Sequence, residues 1–147
     1  MPEGVVSPHP IVVVWEGGKR YRGGLPGGPT LLVDGDRVVG PSPVDGLIVA
    51  LGSCSAIDLV EILEKRRTPA TSLEVQVEFS RALTPPRRLT EAHLRFTVAT
   101  ASELHHVERA VQLSFEKYCS VATSLAPDVQ LSWSVEIREP TSAQGPG

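Results

Sequence analysis

From Leu47 to Leu63, apolar or small residues occupy nearly every position of a helical wheel (Leu47, Ile48, Ala50, Leu51, Cys54, Ile57, Val60, Leu63), interrupted mainly by Asp58 and Glu61. A helix apolar on most of its faces needs cover from more than one side. One small sheet does not supply that much cover, so the segment asks for a layered fold and for a second chain. Its ends are marked. Ser42, Pro43 and Asp45 place a serine at the N-cap, a proline at the first helical position and an acid at the third, close to a capping box. Lys65, Arg66 and Arg67 suit the negative end of the helix dipole, and Pro69 enforces the stop.

On either side the hydrophobic period falls to two. Ile11 to Trp15 is apolar and β-branched, Gly17-Gly18 is a hairpin turn, Lys19 to Arg22 reads as the returning strand and Thr30 to Val33 as a third. Beyond the helix, Leu73, Val75, Val77 and Phe79 alternate with Glu74, Gln76, Glu78 and Ser80. Ala92, Leu94, Phe96 and Val98 repeat the pattern after a Pro85-Pro86 turn, so one face of this sheet is wet. A second helix is expected over about Glu103 to Leu125, striped by Leu104, Val107, Val111, Tyr118, Ala122 and Leu125. A last strand turns Val129, Leu131, Trp133, Val135 and Ile137 inward. The expected class is α+β, with helices packed on one face of a largely antiparallel sheet, in a single domain over residues 1–138. Residues 139–147, rich in Pro, Gly, Ser and Ala, read as a disordered tail.

The formal charge is −3 and the basic residues are scattered, so neither nucleic acid nor a membrane surface is an expected partner. No segment is expected to approach the roughly 20 apolar residues of a membrane span, and the first ten residues lack a secretory pattern. A soluble cytoplasmic protein is the expectation.

Cys54 and Cys119 are the whole thiol content, each set in a helix and each followed by serine. Two cysteines are too few for a secreted disulfide scaffold, and any bridge between them reads as transient. No cofactor and no metal are expected: His93, His105 and His106 read as outward residues without a cysteine or carboxylate at helpful spacing. A pair of cysteines on two helices can toggle between thiols and a disulfide. Peroxide reduction without metal or flavin needs one thiolate to attack oxygen and a second thiol to release the product. At about 100° per residue Cys119 lies about 80° from the centre of its helix's apolar stripe, at the edge of the buried face, and Glu108 about 40° from Cys119, bordering it. Tyr118 reads as core. Cys54 sits about three turns into its helix, beyond the reach of the dipole, so a cation must ionise it. Arg20 and Arg22 are the nearest candidates, with Trp15 available to pack on a guanidinium; a solvated strand arginine is the alternative. Asp58, one turn beyond Cys54, would raise a thiol's pKa, so it is expected to be paired or at the helix edge.

The segments Ser42-Pro43 through Leu47, Ala50-Leu51-Gly52-Ser53-Cys54, Asp58-Leu59-Val60 and Glu116-Lys117-Tyr118-Cys119-Ser120-Val121 resemble the two signature helices of the OsmC/Ohr family. Glu108-Arg109-Ala110-Val111 resembles the run before the second motif. The resemblance covers about Val12 to Ile137. It implies antiparallel sheets around buried central helices in an intertwined homodimer, and a thiol peroxidase for alkyl or fatty-acid hydroperoxides reset by an external thiol or dithiol. In that frame Cys54 is the peroxidatic cysteine, Cys119 the resolving one, and Arg20 the strand arginine beside the thiolate. Val44 stands where the peroxidase branches carry a glutamate. Asp45 matches the acid of the OsmC-like branch, with helix capping as its other role. The alternatives left open are a non-enzymatic dimer that binds an apolar ligand and a redox sensor.

Overall fold

The computed structural model describes residues 4–140; most of the expected tail lies outside the described residues. The chain forms two compact units, one up to Leu47 and one from Ile48 onward.

The first unit is a three-stranded antiparallel sheet of β1 (Val12–Trp15), β2 (Arg20–Gly24) and β3 (Thr30–Asp34), in that order. The β1–β2 turn needs left-handed backbone at Gly17 (φ 101°) and Gly18 (φ 54°), which glycine adopts without a Cβ clash. Trp15 Nε1–H donates to the Gly18 carbonyl at 2.9 Å, so the indole's polar edge closes this turn. After β3 the chain is organised by Asp34. This buried carboxylate accepts the backbone N–H groups of Asp36 (2.9 Å), Val38 (3.1 Å) and Val39 (3.1 Å). The expected capping box is present. Asp45 accepts the Ser42 N–H at 3.0 Å while Ser42 Oγ accepts the Asp45 N–H at 3.1 Å, opening helix α1 (Pro43–Lys65).

The second unit holds the rest of α1, strands β4 (Ser72–Arg81), β5 (Leu89–Ala99) and β6 (Gln130–Arg138), helices α2 (Leu104–Leu113) and α3 (Ser120–Ser124), and a π-helical turn (Ser114–Tyr118) between those helices. The α+β class is as expected, with two corrections. First, β5 pairs antiparallel with β4 but parallel with β6. A crossover through α2 and α3 returns the chain to the start of the sheet, which is what makes a parallel pair possible. Second, the expected single helix over 103–125 is three pieces.

The core joins Leu51, Leu59 and Leu63 of α1, Ala92, Leu94, Phe96 and Val98 of β5, and Val107, Ala110 and Val111 of α2. α1 lies against β4, where a Cβ on Gly52 would meet Val77 Cγ2 at 3.5 Å. The helix ends before Pro69, with Arg67 in the left-handed region (φ 63°) and Thr68 N–H bonding back to the Leu63 carbonyl at 3.0 Å. One sequence expectation is corrected here. By length and composition α1 does match a membrane span, with a mean hydropathy of 1.9 over its most apolar stretch, because Leu, Ile, Val and Ala dominate that stretch. In the fold its Leu51, Leu59 and Leu63 are spent on the core, whereas Val49 and Ile57 face outward, 59% and 58% exposed.

Candidate functional site

The second unit brings the two cysteines together. Cys54 is half-buried on α1 and Cys119 is buried, and both are free thiols. Burial pushes the Cys119 thiol up from its ordinary 9.0; a bond from the Ala122 N–H pulls it the other way, and the neighbouring Cys54 thiol raises it again. Cys119 therefore holds its proton more tightly than a free thiol does.

The position of Cys119 is a product of the break in the second helix. Its N–H donates to the Ser114 carbonyl at 2.7 Å, closing the π turn. Its own backbone is extended (φ −74°, ψ 99°), and its Sγ accepts the Ala122 N–H at 3.4 Å as the cap of α3. The inserted residue and the extended step turn the sulfur inward, so Cys119 is buried rather than at the edge where an unbroken helix puts it. The same change turns Tyr118 out, 56% exposed, against the expectation that it is core. Glu108 lies exposed on α2 and bonds to neither cysteine among the described residues, because wheel angles do not carry across the break.

Asp58 is paired with Ser114, whose hydroxyl donates to Oδ2 at 2.7 Å. With Glu61, Ile62, Lys65, Leu113 and Tyr118 it lines a cleft of about 310 Å³ beside the π turn. On the β4 side of α1, a second, apolar cleft of about 430 Å³ is lined by Ile48, Val49, Gly52, Ser53, Ala56, Leu73, Val75 and Val77.

In the first unit Arg20 lies on β2 opposite Asp34, and its guanidinium turns toward Gly17 and Gly18. It makes no ion pair among the described residues, and its charge helps lower the Asp34 pKa. Arg22 pairs with Glu16 at 3.2 Å. Asp45 takes a different arginine from the one expected. Arg37 binds it through two bonds of 2.7 and 2.8 Å, so the acid both caps α1 and anchors a guanidinium. Arg37 was not singled out in the sequence because residues 35–41 have no periodicity; its acid partner eight positions on was the available signal.

Two depressed carboxylates give the first unit an acid dependence. The Asp36, Val39 and Val38 N–H groups hold the Asp34 pKa below 3.8, and Arg37 with Ser42 does the same for Asp45. A folded pKa below the unfolded one contributes stability that is present above the unfolded value and lost as pH falls through the folded one. Urea denaturation between about pH 2 and pH 5 should show stability falling with acid, with a shallower slope in Asp34→Asn.

Contrary to the expectation from spacing, Glu103 brings a carboxylate to His105 and His106, with ligand atoms within 4.8 Å of one another. The group sits at the positive end of α2, and burial together with the Arg66 charge lowers the His106 pKa. A cation there meets both fields.

Residues 34–134 match the family model described as OsmC-like protein. The chain belongs to the OsmC-like family. The protein YhfA of Escherichia coli K12 is 40% identical over 128 residues, covering 85% of this chain and 95% of that protein. A hypothetical protein from Aquifex aeolicus VF5 superposes with a TM-score of 0.77 at 25% identity, covering 91% of this chain and 100% of the other. An organic hydroperoxide resistance protein OsmC from Legionella pneumophila shares the OsmC-like fold, with a TM-score of 0.64 at 14% identity, covering 88% of this chain and 98% of its own.

Proposed function

We propose that this chain is a thiol-dependent peroxidase for organic hydroperoxides. The observation that carries the reading is the pairing of two free thiols from separate elements, one half-buried and one buried, with the Cys54 thiol near enough to raise the Cys119 pKa. Cys54, the accessible member, attacks the peroxide: its thiolate takes one oxygen, the O–O bond breaks, and the alcohol leaves after gaining a proton. The resulting sulfenic acid condenses with the Cys119 thiol, forming the S–S bond and releasing water. Two external thiols, or one dithiol, return both cysteines to the reduced form and leave as a disulfide. The raised Cys119 pKa supports this order, since a thiol that is harder to ionise is the poorer choice for the first attack on peroxide. Arg20 is the candidate for stabilising the thiolate on the strength of the family resemblance, with Asp45 assigned to capping and to Arg37.

The apolar residues around Cys54 in α1, among them Leu51 and Ile57, support an alkyl or fatty-acid hydroperoxide over hydrogen peroxide. A cycle that needs a thiol donor fits a reducing cytoplasm. Reduced protein mixed with limiting cumene hydroperoxide should consume it and lose both thiols together, with thiol titration and mass as readouts. Intact peroxide with both thiols retained overturns the reading. Oxidation that halts after one equivalent despite excess dithiol identifies a sensor instead.

The same chain is proposed to act as a homodimer. Ile57, Val60 and Ala56 form an apolar outer face on α1 that the second unit leaves uncovered. Ile57→Glu should shift the protein to a monomer in light scattering, since a carboxylate cannot be buried unpaired in such an interface.

A further inference from the structure

The disulfide step depends on where Cys119 is held, and one buried polar contact governs that. Ser114 has no exposed surface and sits beside Val111 on the core side of the helical segment. Its hydroxyl donates to Asp58 Oδ2 at 2.7 Å, with the Ser55 carbonyl a longer 3.5 Å away. Its carbonyl accepts the Cys119 N–H at 2.7 Å. The side chain of one residue thus grips α1 while its main chain grips Cys119. Both α1 acceptors lie just beyond the first cysteine: Ser55 follows Cys54 directly and Asp58 lies one turn on. Without the π closure, a regular helix would bond the Cys119 N–H one residue later and swing its sulfur by about 100°.

We infer that Ser114 and Asp58 are positioning residues, a clamp that sets Cys119 against Cys54 for disulfide formation. The inference deepens the peroxidase reading and rests on those two thiols being the redox pair. It also gives Asp58 a use. A carboxylate one turn from a nucleophilic thiol is unfavourable for the thiolate, and here its charge is engaged by the Ser114 O–H.

A merely structural bond and a positioning bond differ in one measurable respect. A structural bond supports the reduced and oxidised proteins equally, and its loss lowers both stabilities. A positioning bond changes their difference, which is the effective concentration of the two thiols. That quantity is read by equilibrating the protein with glutathione: the dithiol and glutathione disulfide exchange to give the protein disulfide and two glutathiones. Ser114→Ala should lower the effective concentration about tenfold, and Asp58→Asn, which keeps an oxygen to accept the bond, should lower it less. If Ser114→Ala fails to fold, Asp58→Ala removes the same acceptor at a half-buried position, and the same tenfold loss is expected within about a factor of two. Effective concentrations equal to wild type in these variants, with both redox forms destabilised alike, overturn the inference. A wild-type protein that leaves cumene hydroperoxide intact removes the peroxidase reading alone, because the glutathione equilibrium uses no peroxide.

Discussion

Cys54→Ser should reduce organic hydroperoxide consumption to background, a loss of at least about 10³-fold, because a serine hydroxyl is not ionised at neutral pH and is a poor nucleophile toward peroxide oxygen. Cys119→Ser should behave differently. Its Cys54 still takes one oxygen, so one equivalent of peroxide disappears and a sulfenic acid persists, trappable by dimedone and visible by mass. Turnover with a dithiol then slows to the rate at which that reductant reaches the sulfenic acid directly. The asymmetry follows from burial: Cys54 is the half-buried thiol and Cys119 the enclosed one. A reversed pattern, with Cys54→Ser retaining the single equivalent, would exchange the two roles. The pH profile carries a second signature. Burial raises the Cys119 pKa above 9.0, and condensation is faster from a thiolate, so the disulfide-forming step should accelerate with pH through the range above that value. Stopped-flow fluorescence with limiting peroxide separates this step from the first attack.

What the sequence disclosed followed from how strongly each feature depends on local pattern. The alternation in Leu73 to Phe79 and Ala92 to Val98 defines two half-buried strands whatever surrounds them, and β4 and β5 cover both. Ser42, Pro43 and Asp45 specify a helix start through local bonds, and those bonds are present. The direction of β6 was not legible, because a strand reads identically whether it runs parallel or antiparallel to its neighbour. The break at Ser114 was equally hidden. An inserted residue in a π turn leaves apolar residues on both sides of it, so Val111 and Ala122 still look like one stripe. Ser114 itself was the available clue, a polar residue on the buried side of that stripe with Asp58 as the acid left to explain. Arg37 and Asp34 act through a loop whose bonds are set by backbone geometry, which leaves no period to read.

Phe96→Ala should destabilise the protein by about 3–5 kcal/mol, measured as a lower urea midpoint with an unchanged slope. Phe96 has no exposed surface and lies mid-way along β5, the one strand bonded on both sides in the second sheet, opposite Val75 of β4 and Val135 of β6. Its ring belongs to the cluster containing Leu51 and Leu59 from α1 and Val107 and Val111 from α2. Those two helices cannot collapse into the vacated volume without moving the segments that carry Cys54 and Cys119. The cavity therefore persists, which places the loss toward the upper end of the range for core truncations. Phe96→Leu leaves a much smaller void and should recover most of the stability. Leu83→Ala is the control. Leu83 is 93% exposed in the β4–β5 connection, so its truncation should change stability by less than about 0.5 kcal/mol. If Phe96→Ala were as mild as Leu83→Ala, the helices would not be seated on β5 through this ring, and the sheet could not be what holds the two thiol-bearing segments in register.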